Sequence, residues 1–178
     1  MTSLLEADDI REALRDLAGR LTAAGVRARI RVVGGAALAI EYFDRPATRD
    51  VDCLLSPAEE IKAIAADVAR DRGWPADWLN DKVIMYQSHH DTDSDWKTVL
   101  DEGGVTVLVA SAQLLLAMKL HAGRGRRDGP DIEKLLAICR VKRVQDAEEI
   151  FERYYPQHVI RPTARNRVEA WLVAQQSQ

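Results

Sequence analysis

Apolar residues recur at two spacings along the 178-residue chain, and the switches between those spacings mark out its elements. Ile10, Leu14, Leu17 and Leu21 fall at helical spacing and predict a helix over residues 9–24. Asp8 or Asp9 can cap its start, and Gly25 suits its stop. Val26, Ala28, Ile30 and Val32 then alternate with Arg27, Arg29 and Arg31, which predicts a strand over 26–33 with one wet face. Gly34-Gly35 breaks that strand. A short Ala- and Leu-built helix is predicted over 36–43, a loop with Pro46 over 44–49 and a central strand over 50–55. Ser56-Pro57 ahead of Glu59 and Glu60 predicts a helix to about Arg72, stopped by Gly73. The pattern supplies a hydroxyl cap, a proline at the first helical position and acids at the positive helix end.

The second half reads more unevenly. Trp74, Trp78 and Leu79 are packing residues beside Pro75 and Asp77. Residues 82–86 read as a strand, 88–95 as a polar loop and 101–104 as a turn. Residues 105–110 form an apolar run suited to a buried strand, and Ser111 is placed to cap the next helix. Residues 112–122 are apolar on almost every side and predict a core helix. Three more helices are predicted over 131–140, 145–155 and 163–174, with Tyr154-Tyr155-Pro156 as a helix end. The order β-α-β-α-(β)-β and then helices predicts an α/β core over 1–110. A helical C-terminal part over 111–178 is expected to pack on it as one compact unit.

Composition changes this picture little. Apolar residues make up 47 % and charged residues 30 % of the chain, as in an ordinary folded protein. The net charge of −3 exerts no global pull on nucleic acid, but it is unevenly placed. Residues 1–110 carry 13 basic and 20 acidic side chains, whereas 111–178 carry 12 and 8. The second part can therefore meet a local anionic partner, or simply present solvated helical faces. Cys53 and Cys139 are isolated and predict no disulfide framework. The start of the chain has neither the basic nor the apolar region of a signal peptide, and no apolar run approaches the ~20 residues of a membrane span. A cytoplasmic protein with no membrane partner is expected.

The candidate chemistry lies between Val32 and Leu55. Side chains alternate along a strand, so Asp50 and Asp52 point one way and Val51 and Cys53 the other. Two carboxylates side by side repel, and a divalent cation between them relieves that repulsion. Mg²⁺ in particular accepts one or two carboxylates, waters and substrate phosphates. Gly34 and Gly35 leave room for a phosphate at the start of the following helix, where N–H groups point outward. The bland alternatives are solvated acids at a strand end and a tight strand-to-helix turn. Lys119, within Leu114–Leu116, Met118 and Leu120, must reach solvent or find an anion. Arg124, Arg126 and Arg127 around Gly123 and Gly125 form a basic loop, able to grip a nucleotide or an RNA backbone, or merely solvated. Asp128 and Asp131 read either as site residues or as acids at a helix start. His89, His90, Asp91, Asp93 and Asp95 read as a solvated loop, and His121 as structural.

Gly34-Gly35, fourteen intervening residues and Asp50-x-Asp52 resemble the signature of the DNA polymerase β-type nucleotidyltransferases. More narrowly, the pattern is similar to the bacterial AbiEii/MenT-type group, toxins of toxin–antitoxin and phage-defence systems. The run Leu115 to Ala122 with Lys119, then Arg124, Arg126, Arg127-Asp128 and Asp131-Ile132, resembles that group's lysine helix and Arg/Asp motif. The resemblance covers roughly residues 30–140. It implies a mixed sheet flanked by helices, with Asp50 and Asp52 holding Mg²⁺ or Mn²⁺. Asp50, Asp52, Lys119 and Asp131 would be catalytic, and Gly34, Gly35, Lys119, Arg124 and Arg126 would bind a nucleoside triphosphate. It further implies an RNA acceptor, a tRNA 3′ end first, and a cognate antitoxin. Transfer to a small molecule and a degenerate binding module are the rival readings. The chain departs from the superfamily in having Gly35 where a serine is usual, and in offering no clear third carboxylate among Asp91, Asp93 and Asp95. Asp131 is the better match to the downstream acid.

Overall fold

The structure, a computed structural model, describes residues 4–44 and 48–176, without the side chain of Arg126. The chain divides into two units: Met1–Met85 with Trp96–Ala110, and Tyr86–Asp95 with Ser111–Gln178. Residues 86–95 thus group with the C-terminal helices and not with the sheet that precedes them in sequence.

The first unit is a mixed five-stranded sheet with helices against it. The strands are β1 (Ala28–Val32), β2 (Val51–Ser56), β3 (Leu79–Asn80), β4 (Trp96–Glu102) and β5 (Val105–Ala110), in the order β3-β2-β1-β5-β4. β1 runs antiparallel to β2 and parallel to β5, β3 is parallel to β2, and β4 is antiparallel to β5. Ile30 and Val32 of β1 and Val107 and Val109 of β5 are buried, so the apolar phase of each strand sets which face turns inward. α1 (Ala7–Ala23) lies against β5, α2 (Gly34–Glu41) and α3 (Ala58–Arg72). Its stripe of Ile10, Leu14, Leu17 and Leu21 is buried, each side chain stabilising by about 1.5–3 kcal/mol relative to exposure.

Three expectations shift here. α3 begins one residue later than the Ser-Pro pattern suggests. Pro57 occupies the cap position and Ser56 ends β2, so no side chain caps that helix. Residues 82–86 form a 3-10 helix, not a strand. The strand β4 lies where no strand was expected, and the turn predicted over 101–104 closes its hairpin with β5. Gly103 and Gly104 have φ of +59° and +84°, the conformation of a tight two-residue hairpin turn. A Cβ on Gly103 would stand 2.3 Å from Thr22 Cγ2 at the end of α1, so glycine is needed there twice over.

The second unit holds α4 (Ala112–Ala122), α5 (Gly125–Ile138), α6 (Val144–Tyr154) and α7 (Pro162–Gln176). α4 packs against α5 and α6, and α7 against both of those. Ser111 caps α4 by accepting from the Leu114 amide at 3.2 Å, as its position predicts. α5 starts six residues before the expected 131. Its first two turns contain Gly125, Gly129 and Pro130, which read as loop residues in sequence. Among the described residues, no helix is long and apolar enough to cross a membrane.

Candidate active site

In the first unit the carboxylate pair stands as the alternation of β2 predicts. Val51 and Cys53 are fully buried, while Asp50 and Asp52 on the opposite phase are half-buried. Burial, then the charges of Asp52 and Asp81, push the Cys53 thiol well above its usual range, so it is a core residue and not a nucleophile. The antiparallel register sets Val32 opposite Cys53, and the Val33 amide donates to the Asp52 carbonyl at 2.9 Å. This pairing fastens the end of β1 beside the acids. Gly34 then turns the chain into α2 with φ +63°. A Cβ on Gly34 would lie 3.0 Å from Asp52 Oδ2, so the turn and the carboxylate occupy one spot that a side chain would crowd. Gly35 follows, half-buried, in the first turn of α2.

Asn80 and Lys82 belong to the same place and were not read from sequence. β3 sets Asn80 beside Asp52 in register, and Asn80 Nδ2 donates to Asp50 Oδ2 at 3.3 Å. Asn80 is buried, and its Oδ1 accepts from the Lys82 amide at 3.1 Å. The Lys82 ammonium is held up in pKa chiefly by Asp77, its partner at 2.9 Å, and further by Asp50 and Asp52. The negative field of the pair therefore reaches a neighbouring cation. Among the described residues, no group of three or more His, Cys, Asp or Glu side chains gathers as a metal site. A two-carboxylate donor set with hard oxygens fits Mg²⁺ that keeps waters and takes phosphate oxygens from substrate; it does not fit a closed structural zinc site.

The second unit carries a different charge cluster. Lys119 is 11 % exposed, and its Nζ lies 2.8 Å from Asp128 Oδ1 and 3.0 Å from Asp131 Oδ2. Both acids are buried. The lysine that needed an anion thus has two, supplied by α5. Asp128 sits in the first turn of that helix, where its dipole favours an acid, and Asp131 lies further in. Arg124 is exposed at the cap position of α5, with its guanidinium 5.1 Å from the Tyr86 ring centre. Arg127 is exposed, and the side chain of Arg126, expected to bind nucleotide, lies outside the described residues.

The remaining acids of 88–95 have a packing role where the structure defines one. Asp95 is buried and accepts from the Tyr154 hydroxyl at 2.6 Å and from the Thr92 amide at 2.8 Å. Burial pulls its carboxyl pKa upward, but these donors together hold it below the usual range. It is not a third carboxylate waiting for metal. Ser88 donates to the Tyr154 carbonyl at 2.9 Å, which ties the same segment to the end of α6.

A strand, a glycine turn against a strand-borne carboxylate, and a helix opening at that turn fit an α/β domain of the nucleotidyltransferase class. Residues 10–162 match the family described as nucleotidyltransferase of unknown function (DUF6036), and the chain belongs to that family. No curated protein and no solved structure is significantly similar to it. The match thus supports the broader of the two resemblances; it is not to the AbiEii/MenT-type group.

Proposed function

We propose that the protein is a Mg²⁺-dependent enzyme that moves a nucleoside monophosphate from a nucleoside triphosphate to an acceptor hydroxyl. The observation that carries this reading is Asp52 of β2, with its Oδ2 against the Gly34 turn, and Asp50 immediately before that strand, both half-buried. Asp50 and Asp52 hold the metal, oriented by Asn80 on the Asp50 side. When bound, the metal draws phosphate oxygens to the pair and offsets the charge that develops at the attacking and leaving oxygens. Gly34 and Gly35 face the outer phosphates with backbone N–H groups and no side chain in the way. Lys119, held by Asp128 and Asp131, supplies the cation of the lysine-helix motif, and Arg124 and Arg126 add further positive charge for the nucleotide.

By the resemblance, RNA is the favoured acceptor, with a tRNA 3′ end first, and the excess of basic over acidic residues in 111–178 is compatible with it. A toxin role with a cognate antitoxin in the cytoplasm rests on the narrower resemblance alone. Transfer to a small molecule is the rival. The test is incubation with each labelled nucleoside triphosphate and Mg²⁺, with total RNA or with a panel of small hydroxylated acceptors. Label carried into RNA by the wild type and not by Asp52→Ala supports the proposal. Label in no acceptor, with either protein, sinks it and leaves a binding module.

A further inference from the structure

The helical unit contains an aromatic cluster that the catalytic reading does not use. His121, at the end of α4, stacks on Tyr155 with ring centres 4.2 Å apart and planes 12° from parallel. His158 meets the His121 ring edge-on at 4.9 Å, and Tyr86 does so at 6.4 Å. Phe151, one turn before Tyr155, closes the back of the stack at 5.3 Å. The Tyr155 hydroxyl donates to the Tyr86 carbonyl at 2.6 Å, which fixes the Tyr86 backbone. Phe151 and Tyr155 are buried; Tyr86 and His121 are half-buried; His158 is exposed. The cluster is thus a stack with a solid back and an accessible rim.

Cations surround that rim. Arg124 lies over the Tyr86 ring. Arg161 lies across Gly123, with its Cδ 3.2 Å from where a Cβ would stand. Burial, then His158 and Arg161, keep His121 below its usual pKa, so these basic groups act on one ring. Asp91 also acts on the cluster, through Tyr155. Among the described residues, neither Arg124 nor Arg161 has a carboxylate within ion-pair distance, whereas Arg143 and Arg165 on the same unit each do. Flat rings beside cations without acidic partners are what an unpaired base and its phosphate require: the π faces accept any base, and the guanidiniums grip the backbone.

We propose that this notch of Tyr86, His121, His158 and Arg161 binds a nucleotide of a single-stranded RNA, base against the rings and phosphate against Arg161. The proposal deepens the nucleotidyltransferase reading, since it names where the acceptor strand is gripped, but binding can be measured without catalysis. The probe is a labelled single-stranded RNA of about ten nucleotides, read by fluorescence anisotropy. His158→Ala with Arg161→Gln alters exposed side chains and should weaken binding about tenfold and flatten its salt dependence. Tyr86→Leu should cost about as much through lost stacking. Mg·ATP and Mg·CTP affinities should stay unchanged in the His158→Ala, Arg161→Gln variant. Asp52→Ala should bind the RNA as tightly as the wild type; RNA binding by a wild type that transfers no label would remove the catalytic reading and leave the notch standing. Unchanged RNA affinity in both variants, or no RNA binding by the wild type, overturns the proposal. Weakened binding of the mononucleotides with RNA unaffected assigns the notch to free nucleotide and overturns the strand.

Discussion

Two pairs of aspartates sit in the two units, and the chain treats them oppositely. Asp128 and Asp131 are buried and closed around Lys119 at 2.8 and 3.0 Å. Asp50 and Asp52 stay half-buried on a strand face; Asp50 takes an amide hydrogen bond from Asn80 and Asp52 stands against a side-chain-free turn. The first arrangement holds its own cation, because a buried charge without a counter-ion is untenable. The second keeps its charge accessible, which suits an external cation and an incoming phosphate. An acidic pair alone is thus weak evidence of a site, and what matters is whether its carboxylates are buried or stay within reach of solvent.

The closed triad should break most severely. Lys119→Met keeps the length of the side chain but removes the cation shared by two buried carboxylates, and it should destabilise the second unit by about 3–5 kcal/mol. Adding Asp128→Asn and Asp131→Asn should recover most of the melting temperature. No recovery would mean that the aspartates are held by something other than Lys119.

The open pair should show the reverse. Asp50→Ala or Asp52→Ala should lower nucleotide transfer at least about a hundredfold, roughly 2.7 kcal/mol. Thermal stability should hold or rise slightly as repulsion within the pair is relieved. A marked fall in melting temperature with activity retained would make this pair a structural one like its counterpart.

The contrast can be sharpened at Gly34. Gly34→Ala meets both a left-handed φ and the Asp52 oxygen, and should cost about 1–2 kcal/mol of stability while weakening Mn²⁺ binding. Manganese titration followed by electron paramagnetic resonance would read this out, and unchanged metal affinity would separate the turn from the site.

The smallest effect is expected at the Tyr154–Asp95 contact. Burial, then the hydrogen bond to Asp95, push the Tyr154 hydroxyl up to about 12. A group with its folded pKa raised contributes stability below its unfolded pKa, near 10, and loses it as pH rises through 12. Tyr154→Phe should therefore cost about 1 kcal/mol at neutral pH and flatten part of the alkaline fall. A variant that loses stability above pH 10 as steeply as the wild type would refute this.

Legibility in the sequence tracked the reach of the interaction. The alternation in Val26–Val33 and in Asp50–Cys53 is local, and it marked β1, β2 and the facing of both acids. β4 escaped because it is an edge strand exposed along most of its length, so no apolar period marks it. Asn80 escaped because its strand has two residues and exists only through pairing with β2. For Lys119, apolar flanks showed that a counter-charge was needed, but not that Asp128 and Asp131 would provide it. Gly125, Gly129 and Pro130 concealed the start of α5 because tertiary packing overrode their weak helix propensity.

The Gly103–Thr22 contact has an evolutionary reading. A side chain at 103 would collide with Thr22 at 2.3 Å, and the positive φ there admits little besides glycine or asparagine. Drift at 103 is thus conditional on prior drift at 22: an asparagine at 103 becomes tolerable only in lineages where position 22 has already shrunk to glycine or alanine. Family members should populate the two positions as a correlated pair, although 80 residues of chain lie between them and neither takes part in the proposed chemistry.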